Sequence, residues 1–219
     1  MTDFVIHSIP GSPFGRSVFA ALEEKRASYR LAPVGPGQFR TPEHLARHPF
    51  GRVPVMDHGD FRLYETQAIL RYIDRVLAEP ALTPSDPKAA GRMDQVMNVS
   101  DWYLFQGVGN VIGFQRVVLP RLLGGTPDEA RIAEAMPRAH IVFDELGRLL
   151  GDKTYFAGNT MSLADLTVAT QLDFFCQTPE WEALTGDHPN LVAWLNRMMD
   201  RPSMAATTWE RVADLAKAA

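Results

Sequence analysis

One cysteine, Cys176, stands in a chain of 219 residues. A lone thiol builds no internal disulfide framework and suits a reducing compartment, so a cytoplasmic setting is expected. Its neighbours Leu172, Phe174 and Phe175 predict a buried, inert side chain. No stretch is long and apolar enough to span a bilayer, and the N-terminus lacks a basic-then-apolar leader, so no membrane partner is expected. A net charge of only −4 gives no reason to expect nucleic acid. No metal site is expected, on the reading that none of the six histidines has a His-x-x-x-His spacing or a cysteine partner. Internal repeats and low-complexity tracts are absent from the reading as well.

What the chain does have is concentrated between Phe50 and Thr66. Val53-Pro54 opens a strand pattern with a residue that cannot donate to a sheet ladder. The Val53 backbone should therefore face an extended peptide ligand or simply lie at a sheet edge. Asp57-His58-Gly59-Asp60 has the chemistry of a tight turn, and Phe61 and Leu63 alternate with Arg62 and Tyr64, which predicts a hairpin over 53–64. Ile69, Leu70, Ile73, Val76 and Leu77 then recur at helical spacing, with Thr66 expected to cap the first turn.

Upstream, Phe4 to His7 reads as a buried strand, Gly11-Ser12-Pro13 as a loop, Val18 to Leu22 as part of a helix, and Tyr29 to Val34 as a second strand. A crossover helix makes the two strands parallel, and adding the hairpin and its helix gives a thioredoxin-like α+β domain over 1–79. The proline-rich segment 80–87 is expected to be a linker. An all-helical domain is expected over 88–219. Within it, glycines 107, 109 and 113 should break or bend a long first helix, and Thr126-Pro127-Asp128-Glu129 should open another with a capping box. Pro137 should kink that helix, Ser162 and Asp165 form a second capping box, and a last helix runs from Leu191 to Met199.

The loop Ser12-Pro13-Phe14-Gly15-Arg16, the run from Thr41 to Pro54, the segment Glu65-Thr66-Gln67-Ala68-Ile69 and the box Ser162-Leu163-Ala164-Asp165 together resemble the cytosolic glutathione S-transferases, in particular their serine-type, theta/phi-like branch. The resemblance covers nearly the whole chain. It implies a cis bond before Pro54, with the Val53 backbone paired to the cysteinyl part of glutathione. Glu65 and Thr66 are implied to grip the γ-glutamyl end, where a helix N-terminus favours a carboxylate and Glu65 takes the ammonium. Arg40 and Arg52 are implied at the glycine carboxylate, with solvated loop arginines as the alternative. Relatives usually carry serine at Thr66 and asparagine at His48. A homodimer, a small hydrophobic electrophile as second substrate and a role in detoxification are further implications, and no metal is implied.

Resemblance also assigns the chemistry. A free thiol has a pKa of about 8.5, and a hydroxyl donor plus a helix N-terminus lowers it. Ser12 is the implied catalytic donor, with Ser17 as fallback and a turn-organising role as the alternative for Ser12. The Cys-Pro-Phe-Cys loop of disulfide-exchanging relatives reads here as Ser12 and Gly15, which disfavours that reaction. Phe14, Trp102 and Phe105 are candidate walls of the acceptor pocket. Competing functions are a glutathione-dependent peroxidase or dehalogenase, and a non-catalytic binding or scaffold protein of the same fold.

Overall fold

The computed structural model describes residues 3–218. In chain order it contains β1 (Phe4–Ser8), α1 (Pro13–Glu24), β2 (Tyr29–Pro33), α2 (Pro42–Arg47), β3 (Val55–His58), β4 (Phe61–Tyr64) and α3 (Thr66–Val76). Then come α4 (Pro87–Val99), a π-helical segment (Ser100–Val118), α5 (Leu119–Leu123), α6 (Glu129–Leu150), α7 (Leu163–Phe175), α8 (Trp181–Thr185) and α9 (Pro189–Met199). The chain ends with α10 (Pro202–Ala206) and α11 (Trp209–Ala218). Two compact units emerge: Met1–Leu82 with Asp200–Ala219, and Thr83–Met199.

The first unit carries a four-stranded sheet in the order β2-β1-β3-β4. β1 and β2 run parallel through the α1 crossover, while β3 pairs antiparallel with β1 and with β4. This is the expected thioredoxin-like topology. Strand periodicity sends Phe4, Ile6 and Ser8 to one buried face and leaves Val5 and His7 on the other. Phe19 and Leu22 from α1 and Ile69, Leu70 and Ile73 from α3 are all buried with Met56, and they form the core of this unit.

Its C-terminal residues complete it. α10 packs on α1 and α11 on β2. The Arg201 guanidinium makes two 2.7 Å hydrogen bonds to the Glu24 carboxylate, and Arg16 donates to the Met204 carbonyl. Nearby, the fully covered Lys25 ammonium donates to Asp74 and to the carbonyls of Leu77 and Pro80, each at 2.6 Å. Neither α10 nor α11 was expected from the sequence. The proline at the start of α10 and the spacing of Trp209, Val212 and Leu215 are the signals that mark them.

The second unit is all helical among its described residues. Asp86 caps α4 through the Ala89 amide, and Leu104, Val108, Ile112, Phe143, Leu146, Leu166 and Trp194 are buried in its interior. The expected breaks at the glycines do not occur. Ser100–Val118 instead winds continuously in wide turns, as where the Leu119 amide reaches back to the Phe114 carbonyl. Gly107 shows how packing overrides propensity, because a Cβ there would lie 2.9 Å from the Arg138 side chain of α6.

Two further local expectations, the cap of α6 and the burial of Cys176, are corrected. Asp128 caps α6, accepting from the Ala130 and Arg131 amides, so the cap lies two residues beyond Thr126. α6 continues through Pro137. Cys176 is exposed at the end of α7, with Sγ 3.1 Å from the Asp173 carbonyl, because the helix turns its apolar face inward through Leu172 and Phe175 instead. The Ser162–Asp165 box is present, and its carboxylate also accepts from the Phe156 amide and the Trp194 indole.

Candidate active site

Ser12 is the N-cap of α1. Its backbone is extended, Pro13 occupies the first helical position with its φ already suited, and the Ser12 Oγ accepts from the Gly15 amide at 3.1 Å. A hydroxyl that accepts one bond still has its proton to give. The first turn of α1 has no acidic side chain, so nothing covalently attached neutralises the positive end of the helix where Ser12 sits. Both the cap and the donor reading of Ser12 are therefore compatible. Ser17 is different: it is buried and its Oγ donates to the Pro13 carbonyl at 3.0 Å.

Two glycines shape this loop. Gly11 has φ +81°, and the Trp209 indole occupies the space its Cβ would take, 2.6 Å away. A Cβ on Gly15 would lie 2.1 Å from the Ser8 Oγ, so β1 and α1 approach closely under Ser12.

The Val53–Pro54 peptide is cis. Strand pairing starts at Val55, opposite His7 and Tyr64, which leaves Val53 outside the ladder and only partly covered. Glu65 follows Tyr64 with φ 73° and ψ 115°, a conformation costing on the order of 1–3 kcal/mol for a residue with a side chain. Its carboxylate is exposed. Thr66 is the first helical residue of α3 and mostly covered. The expected cap at Thr66 is thus corrected: Glu65 holds the N-cap position and makes no side-chain cap bond. As in α1, no acidic residue lies in the first turn.

Arg40 and Arg52 are both exposed. Gly51, at φ +61°, lets the chain near Phe39 and Arg40 fold against it; its Cβ would lie 2.6 Å from the Phe39 carbonyl and 3.2 Å from the Arg40 guanidinium. Arg40 is thereby brought to the loop that carries Arg52 and Val53. Phe14, next to Ser12, is half-buried. In the other unit Trp102 is 68% exposed and Phe105 half-buried.

Sequence reasoning passed over two side chains here. His44 and His48 stand four apart, a spacing that does place two imidazoles on one helix face. Both residues are buried. His44 Nε2 donates to the Arg52 carbonyl at 2.9 Å, which holds the loop before Val53. The Nδ1 atoms of His44 and His48 are buried with no hydrogen-bond partner. The His48 ring packs against Tyr64 at a 34° tilt, with centroids 4.7 Å apart. Burial pulls the His48 pKa below the ordinary value, against the attraction of Glu65. Among the described residues no three His, Cys, Asp or Glu side chains gather as metal ligands.

A second polar cluster lies on the sheet. The His7 Nε2 is 2.9 Å from Asp57, whose carboxylate also takes two bonds from Arg62. Burial chiefly lowers the His7 pKa, and the Arg62 bonds chiefly lower that of Asp57. At neutral pH this is an uncharged imidazole donating to a carboxylate.

Comparison with known proteins decides the family. The glutathione S-transferase N-terminal domain profile matches residues 3–75, and the C-terminal domain profile matches residues 111–202. The chain belongs to the glutathione S-transferase family. A probable glutathione S-transferase from Oryza sativa subsp. japonica is 32% identical over 90% of each chain. Glutathione S-transferase 1 of Zea mays is 33% identical over 84% of this chain and 86% of its own. Among solved structures, a glutathione S-transferase-I bound with lactoylglutathione superposes with a TM-score of 0.82 at 29% identity, covering 97% of this chain and 99% of the other. Glutathione transferase F7 from Populus trichocarpa gives 0.83 at 26% identity over the same shares. In this glutathione S-transferase the N-terminal match spans every strand of the sheet, Ser12, Val53, Glu65 and Thr66. No helix among the described residues is long and apolar enough to cross a membrane.

Proposed function

We propose that the chain binds glutathione on its first unit and uses the thiol as a thiolate against a small organic electrophile. The observation that carries this is Ser12, a hydroxyl with a proton to donate, placed at the uncompensated positive end of α1. The solved relative with lactoylglutathione as its ligand supports the choice of tripeptide.

Recognition is read from the chain's own groups. The Val53 backbone, outside the ladder, pairs with the cysteinyl part beside Pro54. Glu65 takes the γ-glutamyl ammonium, and the amides and hydroxyl at Thr66 take its carboxylate. Arg40 and Arg52 meet the glycine carboxylate. Phe14, beside Ser12 on the first unit, faces the apolar acceptor. This division assigns glutathione to a domain over 1–79 and acceptor choice to a helical domain over 88–219, with 80–87 as linker.

For chemistry, the thiol gives its proton to water and the Ser12 hydroxyl donates to the sulfur anion that remains. Lowering the thiol pKa by about two units takes about 2.7 kcal/mol of preferential anion stabilisation. One charge-assisted hydrogen bond and a helix N-terminus supply that range. The thiolate then forms a C–S bond as the electrophile's leaving group departs with the bonding pair, or as an activated double bond accepts the electrons. Neither a general base nor a metal enters this scheme. A cytosolic homodimer is the proposed setting.

The test is Ser12→Ala, with turnover, glutathione affinity and thiolate absorbance followed across pH. Turnover should fall about a hundredfold, in line with the loss of one anion-stabilising donor, while affinity changes little. Unchanged turnover and unchanged thiolate titration would remove Ser12 from the mechanism. A peroxide and haloalkane panel distinguishes transfer from peroxidase and dehalogenase chemistry. Failure of glutathione to give any calorimetric heat at millimolar concentration would leave the scaffold reading.

A further inference from the structure

Arg52 and Val53 share one peptide group, and His44 holds its oxygen. The imidazole lies on α2, buried, with Nε2 donating to the Arg52 carbonyl at 2.9 Å. Its place is fixed at two further points: the His44 amide donates to the Thr41 Oγ1 at 3.3 Å, and the Phe39 ring meets the imidazole edge-on with centroids 5.8 Å apart. A carbonyl can only accept, so the ring proton sits on Nε2 and Nδ1 is a bare buried acceptor with no partner. The ring thus bears the cost of one unsatisfied nitrogen while the other bonds a loop carbonyl. A trans peptide is planar, with its oxygen and its amide hydrogen pointing in opposite directions. The cis bonds of the chain are Val53–Pro54 and Glu79–Pro80, so Arg52–Val53 is trans, and fixing its oxygen toward α2 turns the Val53 N–H the other way. Among the described residues, neither the amide nor the carbonyl of Val53 has a hydrogen-bond partner. An open backbone donor on a peptide anchored by its oxygen is preset for a ligand.

We propose that His44 is a positioning residue for glutathione, its bond to the Arg52 carbonyl orienting and polarising the Val53 amide that donates to the cysteinyl carbonyl. This rests on the reading of the Val53 backbone as the partner of the cysteinyl part. Two effects act together. Without the imidazole donor the Arg52–Val53 peptide is free to turn its oxygen toward water, and glutathione must then restore that order as it binds. With the donor in place, a carbonyl that accepts a hydrogen bond leaves its own amide the stronger donor. Reciprocally, a ligand that takes the Val53 N–H strengthens the bond from His44. Because His44 acts through the peptide and not through the Arg52 side chain, its effect does not depend on the glycine carboxylate of the ligand.

Calorimetric titration of the full chain tests this with glutathione and with γ-glutamylcysteine, which lacks glycine and keeps an acceptor oxygen on the cysteinyl carbonyl carbon. His44→Phe keeps a ring and removes the donor, and it should bind both ligands about tenfold more weakly, the worth of one hydrogen bond. His44→Gln, whose side-chain amide can donate to the same carbonyl, should recover most of that loss for both. A readout that needs no variant is NMR of the wild type, in which glutathione should move the Val53 amide proton and the His44 Nε2 proton downfield together. Unchanged affinity per folded molecule in His44→Phe overturns the proposal, since a purely structural role would lower only the amount folded. A loss confined to glutathione also overturns it, by placing the effect on the Arg52 side chain, as does an Nε2 proton that ignores the ligand. Absence of any heat from wild type with either ligand instead overturns the function reading on which it rests.

Discussion

The indole of Trp209 fills the space in which Gly11 would carry a side chain. Residues nearly two hundred positions apart thus set the loop that presents Ser12. Gly11→Ala would place a methyl 2.6 Å from the ring in a conformation, φ +81°, that costs an L-residue about 1–2 kcal/mol before any clash. A lower melting temperature, a shifted tryptophan emission and reduced turnover should appear together. Turnover equal to wild type alongside a displaced indole would show that Ser12 does not depend on this contact.

Glu65 presents the opposite trade. Its positive φ suits glycine, so Glu65→Gly should raise stability by about 1 kcal/mol in thermal or urea unfolding. The same substitution removes the carboxylate proposed to hold the ammonium, so glutathione affinity should drop. A variant that loses both stability and affinity would show that the carboxylate, through contacts of its own, supports the fold.

In the second unit Asp165 accepts from the amides of Phe156 and Ser162, the Ser162 hydroxyl and the Trp194 indole. Four donors converge on one buried carboxylate, whose pKa burial alone pushes upward. Asp165→Asn exchanges an oxygen for an NH2 that faces donors. A loss on the order of 3 kcal/mol is expected by chemical denaturation, with activity per folded molecule retained. Loss of activity without loss of stability would point to a role beyond the capping box.

Stability should fall in two stages on acidification. His7 has a folded-state pKa below the ordinary 6.5, so beneath pH 6.5 the unfolded chain takes up a proton that the folded chain refuses, and stability declines until the folded pKa is passed. Asp57 is likewise lowered from 3.8, so its contribution is complete above that value and disappears as pH falls through the lower folded one. Urea midpoints across pH should show both stages in wild type and a smaller first stage in His7→Gln, the remainder coming from His48, whose pKa burial also lowers. A first stage of undiminished size in His7→Gln would remove His7 from it.

Much of the first unit is legible in its sequence because local signals agree there. The β1–α1–β2 crossover, the Gly59 turn and the helical spacing after Thr66 each point to the same topology, and the registers match it. The candidate site residues come from motif order, which does not reach the His44–His48 pair despite its plain spacing. What escaped detection depends on tertiary packing. Gly107 and Gly113 read as breaks or bends, and the structure shows no break: both are buried within a continuous wide helix. Cys176 shares an apolar neighbourhood along the chain, but helical phase turns it outward while Phe175 goes in. Pro202 and the spacing of Trp209, Val212 and Leu215 mark α10 and α11 as helices, but only their packing on α1 and β2 shows where they belong.

The close approach of Ser8 to Gly15 restricts how this loop can change by mutation. A sulfur at position 12 needs one substitution that leaves the β1–α1 spacing alone. A second sulfur three residues on does not, since any side chain there meets the Ser8 hydroxyl at 2.1 Å and the Ser8 Cβ at 3.1 Å. Single-thiol variants therefore lie one step away, while a vicinal dithiol needs a concerted replacement in the strand beneath.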